Sequence, residues 1–177
     1  YFHKDFHSGN ILNEITNNNH VPIIPAISDF GFSFPADQSS ADKTLYGVLP
    51  FVAPEVLRGG KFTKAADIYG FGMLMSEIIS GEAPFIDRDY DLHLALDICK
   101  GERPQIPEYA PEPYVTLMKS CWDPDPKKRP SIKTICEIFG RWFHRNKNRE
   151  QFDQAEGKRK ELMELKKLGP EFTEKPQ

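Results

Sequence analysis

The sequence predicts a mainly α-helical fold with one small β-ribbon near its N-terminal end. The strongest observation is the segment 64–80, KAADIYGFGMLMSEIIS, which is apolar almost all around a helix. That pattern is typical of a helix buried in a large core rather than of a surface helix. Further helical segments of ordinary length follow it, and they are predicted at 89–100, at about 111–122 and at 131–145.

The β-ribbon is predicted from two short apolar runs, 9–15 and 23–30. A polar turn, residues 17–20 (NNNH), separates them, and short apolar runs joined by turn residues are typical of two paired strands. The next stretch, 31–52, loses its periodicity and collects Gly, Ser, Pro and Asp. Because long loops inside a compact domain are usually functional, we expect this loop to serve a function.

Glycine and proline mark the predicted helix boundaries. Pro54 precedes a short helix that Gly59 and Gly60 close, and Gly81 is placed to cap the C-terminus of 64–80. In 89–100, acidic residues come early and Lys100 comes late, which agrees with the helix dipole.

The composition is that of a globular protein with a single core. The 177 residues are 39% hydrophobic and 28% charged. A net charge of -3 and a pI near 6.0 give no reason to expect nucleic acid or an anionic membrane as a partner. No secretory signal and no apolar stretch of about 18 residues occurs, so we predict a cytoplasmic protein without a membrane span.

The three cysteines, Cys99, Cys121 and Cys136, are spaced by 22 and 15 residues. This spacing matches neither a disulfide framework nor the paired CxxC of a zinc site. They are predicted to be reduced and mostly buried.

The C-terminal segment 146–168 is highly charged, and its apolar Leu162, Leu165 and Leu168 are three residues apart. A solvated helical tail is the favoured interpretation, and a partner-binding helix is the alternative.

The segment HKDFHSGN carries the first chemical signal, because Asp5 and Asn10 lie five residues apart just before a predicted strand. Phosphoryl transfer requires a carboxylate to accept the proton of the attacking hydroxyl and oxygen ligands to hold Mg²⁺. Asp5 can serve as that base and Asn10 as a ligand. Asp29, at the end of the second strand, would face the same metal when the ribbon folds back.

Taken in order, these motifs make the chain resemble protein kinases of the tyrosine-kinase-like group. HKD with its Asn is followed by DFG and then by APE at 53–55, and DIYGFG, GEAPF and CWDPDPKKRPS continue the match. The resemblance covers about 1–145 and implies the C-terminal lobe of a catalytic domain, an α+β superfold present here without its N-lobe. Residues 146–177 form a separate charged, partly helical tail.

The resemblance implies a role for each matching residue and a cofactor pair of ATP and Mg²⁺, with a protein as substrate. Asp5 would be the catalytic base, and Asn10 and Asp29 would bind the metal and its nucleotide. The supporting residues would be His3 under the catalytic loop, Asp67 accepting backbone N–H bonds from that loop, and a buried ion pair between Glu55 and Arg129.

Lys4 departs from the family pattern, since most kinases have arginine in this position. Lysine keeps the charge but loses the bidentate fork that grips a phosphorylated activation loop. We therefore expect a weak dependence on activation-loop phosphorylation. The candidate acceptors are Ser33, Ser39, Ser40, Thr44 and Tyr46.

His7 is a second departure, since serine/threonine kinases usually have a lysine two residues after the base. The usual threonine of the substrate-binding segment is also missing, as Val48 follows Gly47, and Phe51 takes the aromatic position before APE. We expect a Ser/Thr acceptor, with Tyr left open.

A glycine-rich loop, a strand lysine and a helix glutamate do not occur in the sequence, so we expect this chain alone to bind ATP poorly and to be weak or inactive. Two alternatives remain open. One is a non-catalytic kinase-like interaction module, and the other is a metal hydrolase using His3, Asp5 and His7, which alternate as on one face of a strand.

Overall fold

The computed structural model describes residues 2–13, 25–32 and 49–165, and this part of the chain is mainly helical with a two-stranded antiparallel sheet. The predicted fold class is therefore confirmed. The strands are β1 Ile11–Asn13 and β2 Pro25–Ile27. The α-helices are α1 Pro54–Leu57, α2 Lys64–Ser80, α3 Leu92–Lys100, α4 Glu112–Cys121, α5 Ile132–Arg145 and α6 Arg149–Glu164.

The β-ribbon pairs Ile11 with Ile27, and its strands are shorter than the predicted runs. Residues Ser8–Asn10 form a 3-10 turn before β1. Beyond β2, Asp29 has a left-handed backbone with φ 56°, which no strand accommodates. The inner ends of the two predicted runs, 14–24, lie outside the described residues.

Helix α2 forms the centre of the core, as its apolar pattern predicted. Nine of its residues are buried, and Tyr69 and Met73 are fully enclosed. Close approaches occur on two sides of the helix. A Cβ at Gly70 would lie 2.9 Å from the carbonyl oxygen of Phe6, and one at Gly72 would lie 2.9 Å from Cβ of Cys121. The N-terminal loop and α4 can thus both press directly against the backbone of α2.

One buried and one half-buried tyrosine attach the segment after α3 to α2. The hydroxyl of Tyr114 in α4 donates to the carbonyl oxygen of Met75 at 2.9 Å, and that of Tyr109 donates to the carbonyl oxygen of Ile79 at 2.9 Å. Burial raises the pKa of both hydroxyls, so they stay neutral donors. Because a buried hydroxyl without a partner is costly, these bonds also specify how α4 lies on α2.

The helix ends follow their capping residues. Helix α3 begins at Leu92, not at 89 as predicted, because the carboxylate of Asp91 accepts the N–H of Leu94 at 2.9 Å. Ser131 caps α5 in the same way. Gly81, with φ 76°, ends α2 as predicted.

Helix α6 corrects the prediction of a fully solvated tail. Its half-buried residues recur at a helical spacing, so one face packs on the lobe. The ring of Phe152 lies 5.2 Å from that of Trp142 in α5, and Nζ of Lys158 lies 3.4 Å from a carboxylate oxygen of Glu108. Leu165 is exposed, and Leu168 lies outside the described residues.

The cysteines agree only in part with the prediction that they are mostly buried. Cys121 is buried, and burial raises its pKa to about 12. Cys99 is half-buried, whereas Cys136 is exposed on the outer face of α5. All three are free thiols. None of the described helices has the length and apolar character needed to cross a membrane.

The docking of α6 can be measured with a double-mutant cycle on Trp142→Ala and Phe152→Ala. We expect a coupling of about 0.5–1.5 kcal/mol in the free energy of urea unfolding, as for other T-shaped aromatic pairs. Phe143→Ala, in a side chain 78% exposed on α5, is the control and should show no coupling to Phe152→Ala. A coupling near zero for both pairs would mean that α6 does not pack on α5 in solution.

Candidate active site

The first turn of α2 anchors the N-terminal loop through Asp67. Its Oδ2 accepts the backbone N–H of His3 at 2.6 Å, and its Oδ1 accepts that of Lys4 at 3.0 Å. These bonds hold Lys4 in a left-handed conformation with φ 72°, which non-glycine residues seldom adopt. Burial raises the pKa of Asp67, and it outweighs the two backbone hydrogen bonds, which lower the pKa.

His3 connects this loop to the second strand of the ribbon. Its side chain is buried, and Nε2 lies 2.8 Å from the carbonyl oxygen of Ser28. A carbonyl oxygen can only accept, so the ring carries its proton on Nε2. The ring also packs 5.2 Å from that of Phe30 and 5.9 Å from that of Phe6. His3 therefore contacts both motif segments, and its role in supporting the catalytic loop stays a prediction.

Asn10 binds directly to Asp5. Its Nδ2 donates to the backbone oxygen of Asp5 at 2.8 Å and to carboxylate Oδ2 at 3.2 Å. Because Nδ2 is directed at Asp5, the amide oxygen of Asn10 points away from it. In the described part of the chain, no hydrogen bond reaches the buried Oδ1 of Asp5.

The ribbon brings Asp29 next to Asn10. The backbone N–H and the hydroxyl of Ser28 both donate to the carbonyl oxygen of Asn10, at 2.8 and 3.0 Å. Asp29 is the next residue, and its exposed carboxylate accepts, within the described residues, one long hydrogen bond from the backbone nitrogen of Gly31, 3.4 Å away. A carboxylate and an amide oxygen at neighbouring positions fit the ligand preference of Mg²⁺.

Asn10 contacts Oδ2 of Asp5, whereas His7 lies near the other carboxylate oxygen, with Nε2 3.5 Å from Oδ1. His3 does not join this pair, since its ring is turned toward Ser28. Across the described residues, no group of three or more His, Cys, Asp or Glu side chains could hold a metal. The metal-hydrolase alternative therefore finds no support.

The predicted ion pair of Glu55 and Arg129 is present and bidentate, with both N–O distances 2.7 Å. The guanidinium is fully buried, and it also donates to the carbonyl oxygens of Ala65 and Asp123. It lies over the ring of Tyr69 at 5.2 Å. The pair fastens α1 to the start of α2 and to the turn before α5.

The structure thus brings Asp5, Asn10 and Asp29 to one end of the ribbon. The phosphoacceptor candidates lie outside the described residues: Ser33, Ser39, Ser40, Thr44 and Tyr46. Sequence reasoning missed Ser28, whose two bonds to Asn10 depend on strand register and leave no pattern in the sequence. It also missed Gly9, although a glycine between His7 and Asn10 was a visible signal.

Comparisons with known proteins identify the family. The model of the protein tyrosine and serine/threonine kinase family matches residues 1–139. Human mitogen-activated protein kinase kinase kinase 10 is 35% identical over 136 residues, covering 75% of this chain and 14% of that protein. Dual specificity protein kinase shkD of Dictyostelium discoideum is 33% identical over 135 residues, covering 75% of this chain and 17% of shkD.

The cryo-EM structure of the AtMLKL3 tetramer has a TM-score of 0.64 at 27% identity, covering 87% of this chain and 26% of that chain. This chain belongs to the protein tyrosine and serine/threonine kinase family, and the predicted resemblance to tyrosine-kinase-like kinases is confirmed. It spans less than a fifth of the length of the two kinases compared with it here.

Breaking the buried ion pair should destabilise the protein strongly. Glu55→Ala leaves the Arg129 guanidinium buried without its carboxylate, and we expect a loss of about 3–5 kcal/mol in the free energy of unfolding. Asp153→Ala, which removes an exposed pair with Arg149, is the matched control and should change stability little. Equal losses in the two variants would refute the structural role of the buried pair.

The raised pKa of Asp67 predicts a pH dependence that Asp67→Asn should remove. The folded carboxyl holds its proton more tightly than the unfolded one, whose pKa is near 3.8. Its contribution to stability is therefore complete below pH 3.8 and is lost as the pH rises through the folded value. Relative to the variant, the wild-type protein should lose unfolding free energy over that rise, as urea titrations at several pH values would show. A relative gain would contradict the raised pKa.

Proposed function

We propose that this chain supplies the base and metal-binding half of a protein kinase that transfers the γ-phosphoryl group of ATP to a protein hydroxyl. One observation supports this most directly. Asn10 is bonded through its side chain to Asp5 and through its carbonyl oxygen to Ser28, the neighbour of Asp29. The backbone segments that carry the three residues of the family motif therefore meet at one end of the ribbon.

In this proposal, Asp5 orients the attacking hydroxyl and accepts its proton. Each carboxylate oxygen offers two lone pairs, so Asp5 can accept that proton while Asn10 donates to its Oδ2. Asn10 and Asp29 would hold Mg²⁺, which when bound neutralises negative charge on the phosphates. His3 and Asp67 hold the N-terminal loop in position. Asp67 accepts backbone hydrogen bonds from the loop, and the ring of His3 contacts Ser28.

We propose Ser and Thr as the acceptors, with Tyr as the second candidate. Among the relatives, one from Dictyostelium discoideum is named a probable LIM domain-containing serine/threonine-protein kinase, and shkD is named a dual specificity kinase. We divide the chain into the lobe 1–145 and the tail 146–177, because α5 ends at Arg145. The cytoplasmic location stays a prediction.

Phosphate transfer tests the role of Asp5. In a protein that joins these residues to the ATP-binding half of a kinase, Asp5→Asn should lower kcat by about 100-fold to 10,000-fold, since it removes the general base. Asp87→Asn makes the same chemical change on an exposed loop and should leave kcat unchanged. If the two variants transfer phosphate equally well, Asp5 is not the base.

The metal site can be tested on the 177-residue chain alone, with paramagnetic Mn²⁺ in place of Mg²⁺. In the presence of ATP, we expect Mn²⁺ to broaden the backbone amide signals near Asn10 and Asp29 first. Asp29→Asn should abolish this selective broadening because it removes the charged ligand, and Asp87→Asn should preserve it. Uniform broadening, or broadening that survives Asp29→Asn, would reject the metal assignment.

A further inference from the structure

The His7 ring is held in place by three neighbours. Its Nδ1 lies 3.1 Å from the backbone nitrogen of Gly9, which donates its hydrogen to the ring. The ring of Phe51, at the end of the loop before α1, lies 6.1 Å away. On the remaining side, Nε2 lies 3.5 Å from Oδ1 of Asp5, and both side chains are largely shielded, being 18% and 12% exposed.

The bond from Gly9 determines where His7 carries its proton. A backbone N–H can only donate, so Nδ1 must present its lone pair. In a histidine, the hydrogen bond made by one ring nitrogen decides which nitrogen is protonated. The neutral ring therefore carries its hydrogen on Nε2, the nitrogen that faces Asp5. Protonating Nδ1 as well would cost the bond to Gly9.

Gly9 is required for this arrangement. A Cβ at this position would lie 2.8 Å from Cε1 of His7 and 3.0 Å from Nδ1, which is closer than non-bonded atoms normally approach. Any larger residue would push the ring out of its place. The glycine of HSGN thus allows the ring to lie against the backbone, and the same backbone supplies the N–H that orients it.

Asp5 lacks the donor that His7 can supply. Asn10 donates to Oδ2, whereas Oδ1 is buried and receives no hydrogen bond from the described residues. At 3.5 Å, the distance from Nε2 is at the long limit of a hydrogen bond. Catalytic contacts are often long in the absence of substrate and shorten in the reacting complex.

We propose that His7 is a positioning residue that holds the carboxylate of Asp5 through its Nε2–H group, oriented by the amide of Gly9. The proposal rests on the role of Asp5 as the base. Asn10 and His7 then hold one carboxylate oxygen each, so the plane of the carboxylate is fixed relative to the incoming hydroxyl. His7 acts here through a single N–H group oriented by Gly9, whereas a lysine in this position brings a flexible ammonium group.

The imidazole N–H proton of His7 provides a direct test in the ¹⁵N-labelled 177-residue chain. A proton on a hydrogen-bonded, shielded ring nitrogen exchanges slowly enough with water to be observed, whereas one on an exposed ring does not. We expect an Nε2–H signal from His7, identified by its loss in His7→Gln. The buried Nε2–H of His3 should give a second signal as positive control, and exposed His93 should give none.

Three variants then test the partners of His7. Asp5→Ala removes the acceptor, and Gly9→Ala displaces the ring, so each should accelerate exchange of the His7 proton at least tenfold or erase its signal. Asp5→Asn leaves a single acceptor oxygen for the two donors of Asn10 and His7, so the exchange rate of the His7 proton should fall between those of the wild-type protein and Asp5→Ala. The His3 signal should remain in every variant and reports that the loop is still folded. If Asp5→Ala loses the His3 signal, the test uses Gly9→Ala instead, and the exchange rate of the His7 proton in that variant is compared with the rate in the wild-type protein.

The proposal is overturned if the proton of His7 resides on Nδ1. It is also overturned if Asp5→Ala, with the His3 signal intact, leaves the exchange rate of the His7 proton unchanged. These results are independent of phosphate transfer. Failure of the proposed function would appear as full activity of Asp5→Asn in the transfer assay, with the His7 signal still present and still dependent on Asp5.

Discussion

The two hydrogen bonds that the Asp67 carboxylate accepts from the backbone N–H groups of His3 and Lys4 are the constraint on which the site depends. Asp67 lies in the first turn of α2, and α2 is the most deeply buried helix of the lobe. The N-terminal loop is thereby fixed to this deeply buried helix. Since a displacement of about 1 Å can cost a large factor in rate, this attachment matters for any chemistry at Asp5.

Arg129 makes a second set of contacts that attaches another segment to the start of α2. The guanidinium of Arg129 binds the carboxylate of Glu55 and, through the same nitrogen, the carbonyl oxygen of Ala65 near the start of α2. Helix α1 is thus held to the same helix that anchors the N-terminal loop. His7 and Phe51 then meet, because each belongs to a segment attached to α2. The segments that surround Asp5 are therefore both attached to α2.

Predictions from the sequence succeeded where the signal is local or strongly periodic. The apolar run of α2 and its cap Gly81 were predicted with correct bounds, because a nearly continuous apolar run and a glycine at a helix end leave clear patterns. The start of α3 was wrong by three residues, since a capping Asp91 and its acidic neighbours look alike in sequence. The packing of α6 was missed because Phe152 is a lone aromatic residue in a charged segment, and its partner Trp142 lies on another helix.

The sequence by itself determined the order and identity of the motif residues, the family they define and the pairing of Glu55 with Arg129. The pairing was implied by the resemblance to the family, whose motifs include both residues. Only the tertiary structure decided that His7 faces Asp5, that Ser28 binds Asn10 twice and that α6 lies on the lobe. These contacts depend on ring orientation, strand register and helix packing, which arise from the whole chain and leave no mark at any single position.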